Sequence, residues 1–95
     1  MSKMRVTNTI VRSVNTGSQV TAATNANTEY VRIVSDTNAV HIAFGAAPTA
    51  SASTTILGAY DPEIFKIDGG MKVAAIIASG TANIYIDELS EWEEN

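Results

Sequence analysis

Apolar and polar residues alternate along much of this chain with a period of two, the repeat of a strand that buries one face. In residues 40–44, Val40, Ile42 and Phe44 share one face and His41 and Ala43 the other. Residues 30–34 are apolar on both faces except at Arg32, with Val31 and Ile33 on one side and Tyr30 and Val34 on the other. Between these runs lie Ser35, Asp36, Thr37 and Asn38. All four favour turns, so residues 30–45 read as an antiparallel hairpin.

The same reading extends in both directions. Residues 5–14 are rich in β-branched side chains. Val6, Ile10 and Val14 also fit a helical spacing, but the threonines, the valines and Asn8 disfavour helix and predict a strand. Polar interruptions at Asn8 and Arg12 mark it as an edge strand, or as one partly paired with another chain. Turns at 15–18 and 25–27 bracket a short strand over 19–23. Residues 45–53, small and uncharged with Pro48 among them, form a loop before a brief strand at 54–57. In the next turn, 58–62, Pro62 biases Asp61 away from helix.

From Glu63 the pattern sharpens. Phe65 and Ile67 share a face, and Asp68-Gly69-Gly70 is a strong hairpin signal. Strands over 72–78 and 82–89, joined through Ser79-Gly80-Thr81, complete a three-stranded meander. Val73, Ala75 and Ile77 face one way and Ala74, Ile76 and Ala78 the other, the pattern of a strand covered on both sides. Tyr85, on the face opposite that of Ile84, is placed to cover Ile76; a neighbouring subunit is the other source of cover. Ser90-Glu91-Trp92-Glu93 has the form of a capping box, with too little chain after it to propagate a helix. Seven or eight short strands with regular turns predict an all-β domain, a small antiparallel β-sandwich or barrel. Its expected parts are an N-terminal arm with the first strands (1–28), the sandwich core (29–90) and an acidic tail (91–95).

Length and composition narrow the function. A chain of 95 residues buries only roughly 60–65% of the surface its unfolded form exposes. There is no cysteine, which excludes disulfides and thiolate metal sites, and the one histidine cannot build a His-rich site. Association with other chains, copies of itself included, is then the expected extra source of stability. No secretory signal pattern follows Met1, and no apolar run approaches the ~18 residues of a membrane span, so synthesis in a cytoplasm and no membrane partner are expected. Net charge is −4. Lys3, Arg5 and Arg12 are the only charges before Glu29, whereas Asp87, Glu88, Glu91, Glu93 and Glu94 crowd the last nine residues. Such asymmetry suits head-to-tail contact or docking of one end, and also suits two solvated ends.

Candidate chemistry is sparse. None of the common nucleophile, phosphate-loop or zinc motifs is present. His41 sits mid-strand among apolar residues, where a structural role is expected. Asp36, Asp61 and Asp68 fall in turns, where aspartate serves local hydrogen bonds; a calcium site from residues so dispersed is a remote reading. The acidic chain, with few basic residues and none interleaved with aromatics, argues against nucleic acid. No catalytic set and no cofactor are expected. Trp92, near the end, either folds back beside Leu89 or anchors on another chain.

Residues 29–90 carry a resemblance. A valine-rich strand is followed by HIAFG, two residues and PTA, then a Ser/Thr run, a short apolar strand, PEIF, a glycine turn with KVA, and a closing strand ending in DELS. In this the stretch resembles small structural proteins encoded near the capsid genes of tailed bacteriophages. The resemblance covers about two-thirds of the chain and none of the first 28 residues. It implies a virion protein on the capsid exterior: a decoration or cement protein that binds the major capsid protein lattice. A tail or fibre-attachment component is the alternative, and a host-surface or glycan-binding β module is a second one of a different class. The candidate contacts, on physical grounds, are Met4 and Arg5 in the arm, Ile76 with Tyr85, and Trp92.

Overall fold

The computed structural model describes residues 2–21 and 23–93, and the side chains of residues 4–21 and 23–90. Eight strands form close to where the alternation predicts them: β1 (Ser2–Val14), β2 (Gln19–Val20), β3 (Tyr30–Ser35), β4 (Val40–Gly45), β5 (Thr55–Leu57), β6 (Glu63–Lys66), β7 (Lys72–Ile76) and β8 (Ala82–Glu93). They make two four-stranded antiparallel sheets, ordered β1-β8-β3-β6 (sheet A) and β2-β7-β4-β5 (sheet B). No helix occurs among the described residues. The order is that of an eight-stranded jelly roll, in which β1 and β2, β8 and β7, β3 and β4, and β6 and β5 hold matching places in the two sheets.

Two expected pairings are not made. β3 and β4 are no hairpin: β3 pairs with β8 and β6, and β4 with β7 and β5. Nor do β6, β7 and β8 form a meander, because β7 lies in the sheet opposite the other two. A turn rich in Asp, Asn and Gly only reverses the chain. It does not decide whether the returning strand bonds beside its predecessor or rotates to stack on it through side chains. Stacking wins here because β3 and β4 both carry an apolar face, and facing each other across the core buries both. The 36–39 turn is accordingly tied to β8. Asp36 N–H donates to Asn83 O at 3.0 Å, and Asn83 returns bonds from N–H and Nδ2 to the Asp36 carboxylate at 2.8 and 3.2 Å.

The core lies between the sheets. Val31, Ile33, Ile84 and Ile86 from sheet A meet Val40, Ile42, Leu57, Val73 and Ala75 from sheet B, all of them essentially inaccessible. Fully burying each large side chain contributes roughly 1.5–3 kcal/mol. Phe44 and Phe65 close one margin with ring centroids 5.3 Å apart.

The middle of the outer face of sheet B is covered by its own chain, while Val20 and Ile56, on the same face at its two edge strands, stay exposed at 38% and 59%. The loop between β4 and β5 is pinned on the β2 side, where Ala50 N–H donates to Ser18 Oγ at 3.0 Å, and on the β4 side, where His41 Nδ1 lies 2.9 Å from Thr54 O. To reach both places it must cross the outside of β7. Ala50 is buried, Ala74 beneath is inaccessible and Ile76 is half-buried. Tyr85 therefore does not cover Ile76. It stands on the outside of sheet A, on the far side of the sandwich.

Candidate functional site

Among the described residues the outside of sheet A is uncovered over its middle, although Leu89 towards one end of it is buried. Strand register places side chains on it in transverse rows. One row runs Val11, Tyr85, Val34. The next runs Thr9, Asp87, Arg32, Ile64, and the third Val6, Leu89, Tyr30, Lys66. Apart from Lys66 the two outer rows are apolar or aromatic; Leu89 is buried, whereas Val11 and Val6, with Ile64 in the row between, are each more than half exposed. The polar row is internally paired: Arg32 Nη2 lies 3.3 Å from Asp87 Oδ2, and Thr9 Oγ1 donates to Asp87 Oδ1 at 2.7 Å. Lys66 Nζ sits 5.1 Å above the Tyr30 ring, a cation–π contact that leaves the lysine stem along the face. The result is a flat surface with apolar stripes and a self-neutralised polar stripe, suited to lie against another protein surface.

β1 and β8 continue past this face as a two-stranded ribbon. Beyond Tyr30, opposite Leu89, β3 no longer accompanies β8. Four further rungs follow: Arg5 with Ser90, Met4 with Glu91, Lys3 with Trp92 and Ser2 with Glu93. Residues 90–93 thus form strand, their backbone partnered by β1. The backbones of residues 2–5 and 90–93 lie side by side in this ribbon.

The candidate residues divide accordingly. Met4, 40% exposed, projects on the same side as Val6 and Tyr85, roughly 20 Å along the strand from Tyr85 at ~3.4 Å per residue. Arg5 is exposed and, by alternation, points to the opposite side. Trp92 is brought beside Lys3 by backbone pairing, and its side chain lies outside the described residues. Ile76 is remote from all of them. The sequence reading missed Val6, Val11, Val34, Tyr30 and Ile64.

Two open grooves flank the sandwich ends. One, of about 300 Å³, is lined by Asp36, Thr37, Thr81 and Asn83 among others. Hydrogen bonds from Asn83 and Thr37 hold the Asp36 carboxyl below its ordinary value. The other, of about 560 Å³, contains Asn8, Asn25, Thr28 and Glu88. Glu88 is buried, and its carboxylate accepts bonds of 2.7 Å from Asn8 Nδ2, Asn25 N–H and Thr28 Oγ1. Burial pushes its pKa up, but the three donors together outweigh burial and hold it below the ordinary value. A carboxylate so committed ties β8 to the 25–28 turn and is poorly matched to general-base work at neutral pH. No group of three or more His, Cys, Asp or Glu able to hold a metal occurs among the described residues.

No protein-family model, curated protein or solved structure matches this chain.

Proposed function

We propose that this chain is a virion structural protein, a capsid decoration or cement protein that acts by binding alone. The observation that carries the reading is the contrast between the middles of the two outer faces: the β4–β5 loop crosses β7 in sheet B and leaves Val20 and Ile56 exposed only on the edge strands, whereas sheet A presents a row from the exposed Val11 through Tyr85 to the half-buried Val34, with Val6 and Ile64 exposed beside it. The resemblance of residues 29–90 to small phage structural proteins supports it, and jelly rolls recur in capsid proteins, although a fold by itself hosts many functions.

On this reading the face of sheet A rests across adjacent capsid subunits, with the major capsid protein as partner. Separating those subunits then requires exposing the bridged apolar surface as well. Repetition over a lattice makes a modest single contact sufficient.

The test is stoichiometry in purified virions, measured by quantitative mass spectrometry against the major capsid protein. A ratio near one, or near a simple fraction of one, is expected. A few copies per particle would move the chain to the tail or a fibre attachment, and absence from virions would overturn the structural reading.

A further inference from the structure

The edge of sheet A points to a partner of its own. Asn83 directs both its N–H and its C=O at Asp36, on the β3 side of β8. Alternate residues of an antiparallel strand bond to the same neighbour. Ile84, Ile86 and Glu88 therefore bond toward β1, to Arg12, Ile10 and Asn8. Ser35, opposite Ile84, fits this phase, because its carbonyl turns away from β8 and accepts Tyr60 N–H at 2.8 Å. It follows that the backbone N–H and C=O groups of Thr9, Val11 and Ser13 face outward. β1 is a terminal strand of its sheet and has no second strand partner among the described residues.

Edge strands are ordinarily guarded by proline, charge or a bulge. The bulge of β1 falls between Val6 and Asn8, and residues 9–13 lie beyond it. That segment holds no proline, and its one charge, Arg12, is turned inward, where Nη2 donates to Gln19 Oε1 at 2.7 Å.

We infer that residues 9–13 of β1 pair antiparallel with the same segment of a second copy of this chain, about a two-fold axis at Val11. A row of outward N–H and C=O groups accepts an extended strand, and two features identify that strand as this one. First, the segment is self-complementary about Val11. Thr9 falls opposite the partner's Ser13 and Val11 opposite the partner's Val11, so outward groups meet outward groups and roughly six backbone bonds form. Arg12 falls opposite the partner's Ile10, so like charges do not meet. Second, the apolar row Val34, Tyr85, Val11 runs to the edge and stops at a residue 55% exposed. The two-fold copy continues that row across both molecules and joins the two A sheets into one eight-stranded surface. This inference is independent of the capsid reading.

Sedimentation equilibrium of the purified full chain over a wide concentration range tests it, together with amide hydrogen exchange. A reversible dimer is expected, with the Thr9, Val11 and Ser13 amides protected at high concentration and exposed on dilution. Val11→Pro removes an outward donor while leaving the β8 ladder intact, a position where an edge strand tolerates proline; it is expected to weaken dimerisation about tenfold or more. A chain monomeric at every concentration, an oligomer in which those three amides exchange freely, or a folded Val11→Pro variant that dimerises like the parent would each overturn the inference. The exchange measurement needs no variant and decides the matter even if Val11→Pro does not fold.

Discussion

Glu88 on β8 and Thr28 in the β2–β3 connection are joined by a 2.7 Å hydrogen bond between two buried side chains. With Asn8 Nδ2 and Asn25 N–H on the same carboxylate, this contact closes one end of the sandwich. Glu88→Ala leaves three donors without their acceptor, and a buried polar group deprived of its partner costs roughly 1–3 kcal/mol. Chemical denaturation should show a loss within that range, carried chiefly by the buried Thr28, because Asn8 and Asn25 are exposed and can turn to water.

The same carboxylate gives stability a pH dependence. Its folded pKa is held below the unfolded value, so between the two the unfolded chain binds more protons than the folded one. The contribution is fully present above the unfolded value of about 4.5. It falls as acid is added and is gone below the folded pKa. Unfolding free energy measured from neutral to acidic pH should decline below about 4.5, and Glu88→Gln should flatten that decline. An unchanged slope in the variant would assign the acid sensitivity elsewhere, with Asp36, whose pKa is also lowered, the next group to test.

Neighbouring glycines in the β6–β7 turn should behave very differently. A Cβ on Gly69 would stand 1.8 Å from the carbonyl oxygen of Ala26, and that backbone is fixed by the bond from Gly70 N–H to Asn25 O at 3.2 Å. Gly69→Ala must separate the two turns, at a cost of about 1–3 kcal/mol or more. Gly70 has φ +81° with open space around its Cβ position, so Gly70→Ala costs only the left-handed conformation, about 1–2 kcal/mol. Thermal denaturation of the pair should rank Gly69→Ala as the more damaging.

The strands were readable because their period survives in short runs such as residues 40–44. Their pairing was not, since Asp36 and Asn38, or Gly69 and Gly70, signal reversal equally well for a hairpin and for a strand that stacks on the opposite sheet. The apolar stripe on sheet A was hidden for a different reason. Val6 and Val11 are an odd number of positions apart, which in a uniform strand sets them on opposite faces; the register shift between Val6 and Asn8 brings them to one. The role of residues 46–54 left no trace either. Alanine, serine and threonine carry no periodic signal, and only the bonds to Ser18 and His41 reveal a cover over β7. Of the candidate contacts, Met4 was picked for its place in the arm and Tyr85 as cover for Ile76; both are exposed on the outer side of sheet A, while Ile76 was misplaced because the sheet to which β7 belongs could not be read locally.

Tyr85 offers the sharpest test of the binding face. It is 36% exposed, at the centre of the Val11, Tyr85, Val34 row, and no hydrogen bond or ring contact restrains it among the described residues. Tyr85→Asp should leave the chain folded, at a stability cost of about 1 kcal/mol, the span of strand propensities. Central aromatic residues dominate protein contacts, and truncating one commonly costs about 2 kcal/mol or more. Occupancy on capsids stripped of the protein and refilled with the variant should then fall by about tenfold or more. Ser53→Asp, exposed in the loop over sheet B, adds the same charge on the other side and should fill capsids like the parent. If Tyr85→Asp fills them equally well and Ser53→Asp does not, the docking face is sheet B with its loop, and the contrast between the two outer faces has been assigned the wrong way round.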